Sequence, residues 1–254
     1  MKKGILTLLL VVAALLFILP FVYTVFQSFY FIEGFSMKGY KDLFFDAFTF
    51  YPMFWNTVLY SVAITILQLF ISIPCAFGFR FSSFKWKHAL YVFYIMLMMM
   101  PLQVTILPNY IGLRDFGLIN TRFGIILPML FAPFSVIVMY QFMRGMEDSF
   151  IEAARLDTSS LSKIVFMTVV PQLKVCIFAL VLFVFSESWN MVEQPLLFLK
   201  EDALKTLTIF ISQTNLYSKE VLLSASVIFM IPVLLLYLFF NEHLEEGLTL
   251  TIRS

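Results

Sequence analysis

The chain has 254 residues, of which 61% are hydrophobic and 13% are charged, with a formal net charge of +1 and a mean hydropathy of +0.93. Soluble domains are about 45–50% apolar and about 25% charged, so this excess indicates lipid rather than a buried core as the environment. The near-zero net charge gives no basic field for binding nucleic acid. No separate soluble segment is visible, so we treat residues 1–254 as a single membrane domain.

Six apolar runs are long enough to predict helices that cross a bilayer, which takes about 20 residues each. They cover residues 4–30, 56–79, 89–108, 123–143, 174–189 and 221–240. The fifth run is the weakest, and it reaches full length if Lys174 snorkels to the interface or if the helix continues back through Pro171. The prediction is therefore an all-α integral membrane protein with six transmembrane helices.

The first run follows Lys2 and Lys3 but is too long for the apolar region of a signal peptide, and no small-residue cleavage site follows it. We therefore predict an uncleaved anchor. With the N-terminus inside, ten Lys and Arg residues fall on the cytoplasmic side and seven on the other side. This bias predicts a multi-pass protein of the cell membrane with both termini in the cytoplasm.

A polar segment, residues 148–171, separates the fourth and fifth runs and should face the cytoplasm. It contains Glu152, Ala153 and Ala154 in succession, with Pro171 at its end. This spacing resembles the EAA motif of permease subunits of ABC importers.

Four further stretches resemble the same family, in the same order along the chain. They are Trp55-Asn56-Thr57, Gly117-Leu118-Ile119-Asn120-Thr121, Trp189-Asn190 with Pro195-Leu196, and Glu246-Gly247-Leu248-Thr249. Together these stretches make the chain similar to the maltose-type permeases, the carbohydrate uptake class of ABC importers. The resemblance implies a permease subunit that forms half of the translocation path for a sugar, oligosaccharide or related polyol.

The resemblance also implies that the polar segment is a coupling helix docked on a cytoplasmic ATPase. The coupling residues would be Phe150, Glu152, Ala153, Ala154, Arg155, Leu156, Asp157 and Thr158. The two alanines would allow close approach, Phe150 and Leu156 would be apolar anchors, and the charges would fix the register. Pro171 would occupy the first turn of the fifth span. An amphipathic interfacial helix without a partner is the alternative.

The chain departs from the family pattern at two places. Thr158 stands where the family has glycine, and a β-branched residue in a left-handed turn would cost about 1–2 kcal/mol. We therefore expect a turn of different shape or a weaker coupling contact. Residues 250–254 also lack the family's ending, so the resemblance does not carry a tail contact with the ATPase to this chain.

Polar groups inside spans are costly, and they tend to line a cavity or bond a neighbouring helix. The candidates for the substrate path are Gln68, Glu187, Trp189 and Asn190, whereas Gln103, Asn109, Gln141 and Glu193 are other polar residues in or beside the runs. Glu187 and Asn190 share a helical face and flank Trp189, which would give sugar hydroxyls a carboxylate, an amide and a stacking surface. The alternatives are an interhelical hydrogen bond for Gln68 and an interfacial aromatic belt for Trp189.

The sequence gives no sign of a cofactor or metal bound by this chain. His88 and His243 are its two histidines, neither has a second ligand nearby, and no phosphate-binding Gly-x4-Gly-Lys-Ser/Thr loop occurs. The chain is therefore not expected to be an enzyme. The resemblance places ATP and Mg²⁺ on the partner ATPase.

The partners that the resemblance implies are a second homologous permease, two cytoplasmic ABC ATPases, an extracytoplasmic solute-binding protein and the lipid bilayer, without nucleic acid. Two other functions stay open at this point. One is a secondary transporter driven by an ion gradient, although neither an internal repeat nor a midplane ionisable residue is visible. The other is a non-transporting membrane scaffold derived from a permease.

Overall fold

A computed structural model describes residues 2–31 and 34–253, and for residues 2, 3, 31 and 242–253 it describes the backbone alone. The side chains of Lys2, Lys3 and His243, of the motif at 246–249 and of the tail at 250–254 therefore lie outside the described part.

The described elements follow one another as α1 (Lys2–Phe29), β1 (Tyr30–Phe31), β2 (Gly34–Phe35), α2 (Lys38–Phe45), α3 (Phe50–Phe81), α4 (Lys87–Met98), α5 (Leu102–Asp115), α6 (Arg122–Leu130), α7 (Pro133–Arg144), α8 (Asp148–Asp157), α9 (Leu161–Lys163), a π-helix (Ile164–Val169), α10 (Val170–Gln172), α11 (Lys174–Trp189), α12 (Glu193–Phe198), a 3₁₀ turn (Asp202–Leu204), α13 (Leu207–Ser212) and α14 (Lys219–Arg253). Within the described ranges the strands form only a two-residue antiparallel ladder. The all-α prediction is confirmed.

Four helical stretches are long and apolar enough to cross a membrane: Gly4–Phe29, Phe50–Phe81, Arg122–Arg144 and Lys219–Asn241. Two bent helix pairs raise the number to six if each pair counts as one span. The predicted third and fifth spans are these bent pairs rather than straight helices.

The third predicted run, residues 89–108, is broken between α4 and α5, whose axes meet at 99°. Pro101 lies at the break with an extended backbone, φ −68° and ψ 150°. Proline lacks the N–H that would continue the helix, and its ring disfavours helical backbone in the residue before it. The local sequence therefore accounts for this bend.

The fifth run is bent by 85° between the segment Leu161–Gln172 and α11. Pro171 lies in the segment before the bend and not in the first turn of α11, so the expected position of this proline is wrong. Leu173, with φ −95° and ψ 13°, separates the two segments, so α11 does not continue as one straight helix back through Pro171. The wider π-helical turns just before it accommodate a residue whose N–H cannot join the helical ladder.

The helix α3 is the centre of the molecule and packs against α7 and α11. Buried residues line it from Phe50 to Phe77. By contrast, the apolar span of α1 is almost entirely exposed and contacts α14 along one side. An apolar helix of this kind requires lipid or another subunit as its surroundings.

The largest apolar cluster joins α3, α7, the π-helix and α11, and it also includes Ile151 and Ala154 of α8. The short helix α8 is therefore fastened to the bundle by its own apolar residues. Its position at the end of α3 and α7 determines the first part of the candidate site.

Candidate functional site

The helix α8 has an inward and an outward side. Ile151 and Ala154 are buried, with 3% and 8% of their surfaces exposed, and both belong to the core cluster. Ala153 is exposed, and so are Phe150 and Leu156, at 49% and 89%. The expectation that both alanines form a thin outer face is therefore corrected, because Ala154 faces the chain's own core.

The charged residues of α8, which are Asp148, Glu152, Arg155 and Asp157, are all exposed. Together with the exposed apolar side chains they give α8 an outer surface of mixed charge and apolar anchors. This chemistry suits a protein partner better than lipid, because charges in contact with lipid tails are costly.

Thr158 leaves α8 in an extended conformation, with φ −154° and ψ 141°. Its N–H donates to the carbonyl of Ala154 at 3.1 Å, and its Oγ1 accepts from the N–H of Ser160 at 3.2 Å. Any residue adopts this backbone conformation, so the strain expected for a left-handed threonine does not arise. The turn differs in shape from one that requires glycine.

Arg80 joins the end of α3 to α8, and no motif in the sequence singles it out. Its Nη2 lies 2.6 Å from Asp148 Oδ1, and its Nε donates to the carbonyl of Met143 at 3.3 Å. The guanidinium also lies 4.8 Å from the ring centroid of Phe81. Because Arg80 and Asp148 are far apart in sequence, no local pattern could have paired them.

A cavity of about 510 Å³ lies where the bent helices meet α3 and α11. Its polar lining residues are Gln68, Thr105, Asn109, Glu187 and Gln194. The remaining walls are Met, Leu, Phe, Pro and Ala side chains from α4, α5, α6 and α7 and their bends. The sequence analysis missed Thr105, which lies on α5 after the bend at Pro101, and Gln194, which lies on the short helix α12, because only the packing of distant helices brings them to this space.

Gln68 has both of the roles considered for it. Its side chain is buried, and Nε2 donates to Ser135 Oγ of α7 at 2.7 Å. It also lines the cavity beside Glu187. The interhelical hydrogen bond thus fixes the orientation of an amide that contributes to the cavity wall.

Trp189 is fully buried and does not line the cavity. It stacks against Phe185 and Phe229, and its Nε1 donates to the carbonyl of Phe229 at 3.0 Å. Asn190 turns back along α11, where Nδ2 donates to the carbonyl of Ser186 at 2.7 Å. The expected stacking surface for sugar is therefore a core residue, and Glu187 alone of this group reaches the cavity.

The family-like stretch at Asn56 fastens α3 to the connection after α12. Asn56 Nδ2 donates to the carbonyls of Ala203 and Lys205 at 2.6 and 3.2 Å. Thr57 Oγ1 accepts from the N–H of Leu207 at 2.7 Å. These short polar side chains bond to backbone groups of the 3₁₀ turn, of Lys205 and of the first residue of α13.

The stretch ending at Asn120 has a similar structural role. Asn120 adopts a left-handed conformation, with φ 62°. Its Oδ1 accepts from the N–H groups of Lys200 and Glu201 at 2.9 and 3.0 Å. Thr121 then caps α6 by accepting from the N–H of Gly124 at 3.2 Å. Both motifs therefore hold connections in place at the end of the bundle opposite α8.

The described residues contain no group of three His, Cys, Asp or Glu side chains placed to hold a metal ion. The polar groups that line the cavity are three amides, a hydroxyl and one carboxyl group.

Comparison with known proteins gives a consistent result for the whole chain. Residues 68–250 match the family described as "Binding-protein-dependent transport system inner membrane component". The arabinooligosaccharides transport system permease protein AraQ of Bacillus subtilis (strain 168) is 29% identical over 84% of this chain and 77% of its own length. The lactose transport system permease protein LacG of Rhizobium radiobacter is 26% identical over 77% of this chain and 73% of its own length.

The fold matches a chain of a bacterial ABC transporter involved in the import of the acidic polysaccharide alginate. The TM-score is 0.85, with 20% identity, over 95% of this chain and 96% of that one. A second structure of a bacterial alginate ABC transporter, in complex with an alginate pentasaccharide-bound periplasmic protein, matches with a TM-score of 0.67 and 13% identity. At these identities the likeness establishes the fold.

Proposed function

Since the chain belongs to the binding-protein-dependent transport system inner membrane component family, we propose that it forms half of the translocation path for a neutral sugar, oligosaccharide or related polyol. It is a permease subunit of an ABC importer and not an enzyme. Its work is to change the access of a path across the membrane, which requires different affinities in two states rather than covalent chemistry.

The composition of the cavity wall is the observation that supports this cargo. Gln68, Asn109 and Gln194 offer amides and Thr105 offers a hydroxyl, which are donors and acceptors matched to sugar hydroxyl groups. Among the described residues, no Lys, Arg or His lines the cavity, and Glu187 is the one acid in its wall. An anionic cargo would lose its hydration here without gaining a cation, so neutral cargo is favoured.

We propose that α8 is the coupling helix and that its exposed side docks on a cytoplasmic ATPase. Phe150, Ala153 and Leu156 recur at three-residue spacing on that side. On this proposal two ATPases carry ATP and Mg²⁺, a second permease completes the path, and an extracytoplasmic binding protein delivers the cargo. Six spans, with each bent pair counted as one, would leave both termini in the cytoplasm.

The route from coupling helix to cavity runs through a single helix. Arg80 near the end of α3 holds Asp148 of α8, and Gln68 of the same helix lines the cavity. Twelve residues of α-helix separate Arg80 from Gln68, which is roughly 18 Å. Movement of α8 would therefore reach the cavity through a stiff element rather than through a chain of loops.

The test is uptake of a labelled neutral oligosaccharide into proteoliposomes that contain this chain with its second permease, ATPase and binding protein. We expect uptake that requires ATP and the binding protein and that persists when ionophores collapse all ion gradients. Uptake driven by an ion gradient without ATP would identify a secondary transporter instead. If an intact assembly took up nothing under either condition, the result would support a non-transporting scaffold as the function of this chain.

A further inference from the structure

A second cavity, of about 270 Å³, opens at the same end of the bundle as α8. The end of α3, the connection to α4, the first turns of α4 and the end of α7 form its walls. Three of its lining residues, Lys85, Lys87 and His88, have basic side chains, and no acidic residue of the described part of the chain lines it. This cavity is separate from the proposed sugar path, and no step of the proposed transport mechanism uses it.

One of the three is held in place by the backbone. Lys87 Nζ donates to the carbonyls of Arg80 and Ser82 at 2.9 and 3.1 Å, so it caps the carboxyl end of α3. Lys85 and His88 form no hydrogen bond or ion pair with the part of the chain whose side chains are described. A fixed ammonium group and two further basic side chains thus face one small space that no acidic side chain of the described residues lines.

The other walls of the cavity are aromatic. Tyr91 and Tyr140 have ring centroids 4.6 Å apart, and Phe79 lies against both at 6.0 and 6.4 Å. Leu90 and Phe93 of α4 are 47% and 55% exposed, and they extend an apolar surface away from the basic mouth. Tyrosines beside lysines at the end of a membrane helix are typical of the level of lipid headgroups.

We propose that this cavity binds the phosphodiester headgroup of an anionic phospholipid, with the acyl chains along the exposed apolar side of α4. A basic pocket between membrane helices is suited to a lipid phosphate, because headgroup and tail are recognised by adjacent surfaces. An acidic segment of a soluble partner would satisfy the basic groups but would leave the neighbouring apolar surface of α4 uncovered. A free phosphate ion would leave it uncovered as well.

The test is native mass spectrometry of the full chain released from micelles that contain phosphatidylglycerol or phosphatidylcholine. We expect retained phosphatidylglycerol, and a loss of about fivefold in its affinity when Lys85→Gln removes one positive charge. Lys163→Gln removes one exposed charge in α9 and is the matched control, with no expected effect. The charge-conserving Lys85→Arg should retain the lipid, which separates lost charge from misfolding.

Equal retention of the two lipids, or an equal loss in Lys163→Gln, would overturn the proposal, because the attraction would then be unspecific. Displacement of the lipid by millimolar inorganic phosphate would assign the site to a soluble phosphate and would overturn the proposal of a lipid site. A photo-crosslinker at position 85 in the assembled importer should form a lipid adduct. An adduct with the ATPase in its place would show a protein contact and would contradict the proposal.

Discussion

Arg80 and Asp148 form a salt bridge of 2.6 Å between the end of the central helix α3 and the first turn of α8. The Arg80 side chain is 23% exposed and that of Asp148 is 63% exposed. Arg80 also reaches the carbonyl of Met143 at the end of α7. A single guanidinium therefore connects three helices at the point where α8 joins the bundle.

We expect unequal losses of stability from the two halves of this pair. Asp148→Asn should lower the free energy of unfolding by about 0.2–1 kcal/mol, because Asp148 is largely in solvent. Arg80→Gln should cost about 1–2 kcal/mol, because the carbonyl of Met143 and the ring of Phe81 lose their partner as well. Thermal unfolding in detergent measures both changes.

The control is Arg114→Gln, which breaks an exposed pair with the adjacent Asp115 and should leave unfolding unchanged. Equal effects of Arg80→Gln and Arg114→Gln would show that the contacts at the end of α3 contribute nothing measurable.

Crosslinking should separate the two sides of α8. In a chain with Cys75 and Cys176 replaced by Ala, cysteine at Ala153 or Leu156 should form an adduct with the ATPase that changes with nucleotide. Cysteine at Ile151 or Ala154 should form none, because both positions face the core of this chain. Gel electrophoresis of crosslinked membranes gives the result.

The docking side of α8 is inferred from which of the four cysteine positions form adducts. Adducts at the inward positions alone would reverse the proposed docking side. A folded and inserted protein without any adduct would contradict the coupling role of α8.

Two buried hydroxyls of α3 give a matched test of the connection at the opposite end. Thr57→Val should cost about 1–3 kcal/mol, because it leaves the buried N–H of Leu207 without an acceptor. Ser61→Ala should be neutral or stabilising, because Ser61 Oγ is buried without a partner among the described residues. Both are measured by thermal unfolding of the purified chain, and equal costs for the two variants would refute this interpretation.

Because the backbone of Asn120 is left-handed, we predict that a glycine variant at this position is more stable than an alanine variant. Asn120→Gly loses the hydrogen bonds to Lys200 and Glu201 but keeps the backbone free of strain. Asn120→Ala loses the same bonds and adds strain, so it should be less stable than the glycine variant by about 1 kcal/mol. Asn215→Ala, at an exposed position without positive φ, serves as the control. If alanine proved as stable as glycine at position 120, the strain would be absent.

The role of Glu187 is measured by uptake in the reconstituted importer. Glu187→Leu should reduce uptake of a neutral oligosaccharide about fivefold, because it removes a hydrogen bond that contributes about 1 kcal/mol. Glu187→Gln keeps an acceptor and should lose less. Glu193→Gln changes an exposed acid outside the cavity and should behave as the unchanged protein does. Loss of uptake in Glu193→Gln alone would place the path elsewhere.

The sequence by itself determined the class of the protein. Runs of apolar residues are a local property, and a bilayer accepts only segments whose backbone is satisfied internally, so composition was enough to predict helices and lipid. The stretches that resemble the permease family could also be recognised in the sequence. They contain Asn56, Thr57 and Asn120, whose hydrogen bonds require those side chains at fixed positions. The amphipathic helix α8 followed from the same local spacing.

The tertiary structure decided which residues meet. Trp189 is buried in the core, Ala154 faces the core, and Thr158 has an extended backbone. Gln68, Glu187 and Gln194 line one cavity only because α3, α11 and α12 meet there. Arg80 forms a salt bridge with Asp148, which lies 68 residues further along the chain. The physical reason is the same in each case. The periodicity of a helix determines on which of its faces a residue lies, but the packing of distant helices decides what that face contacts.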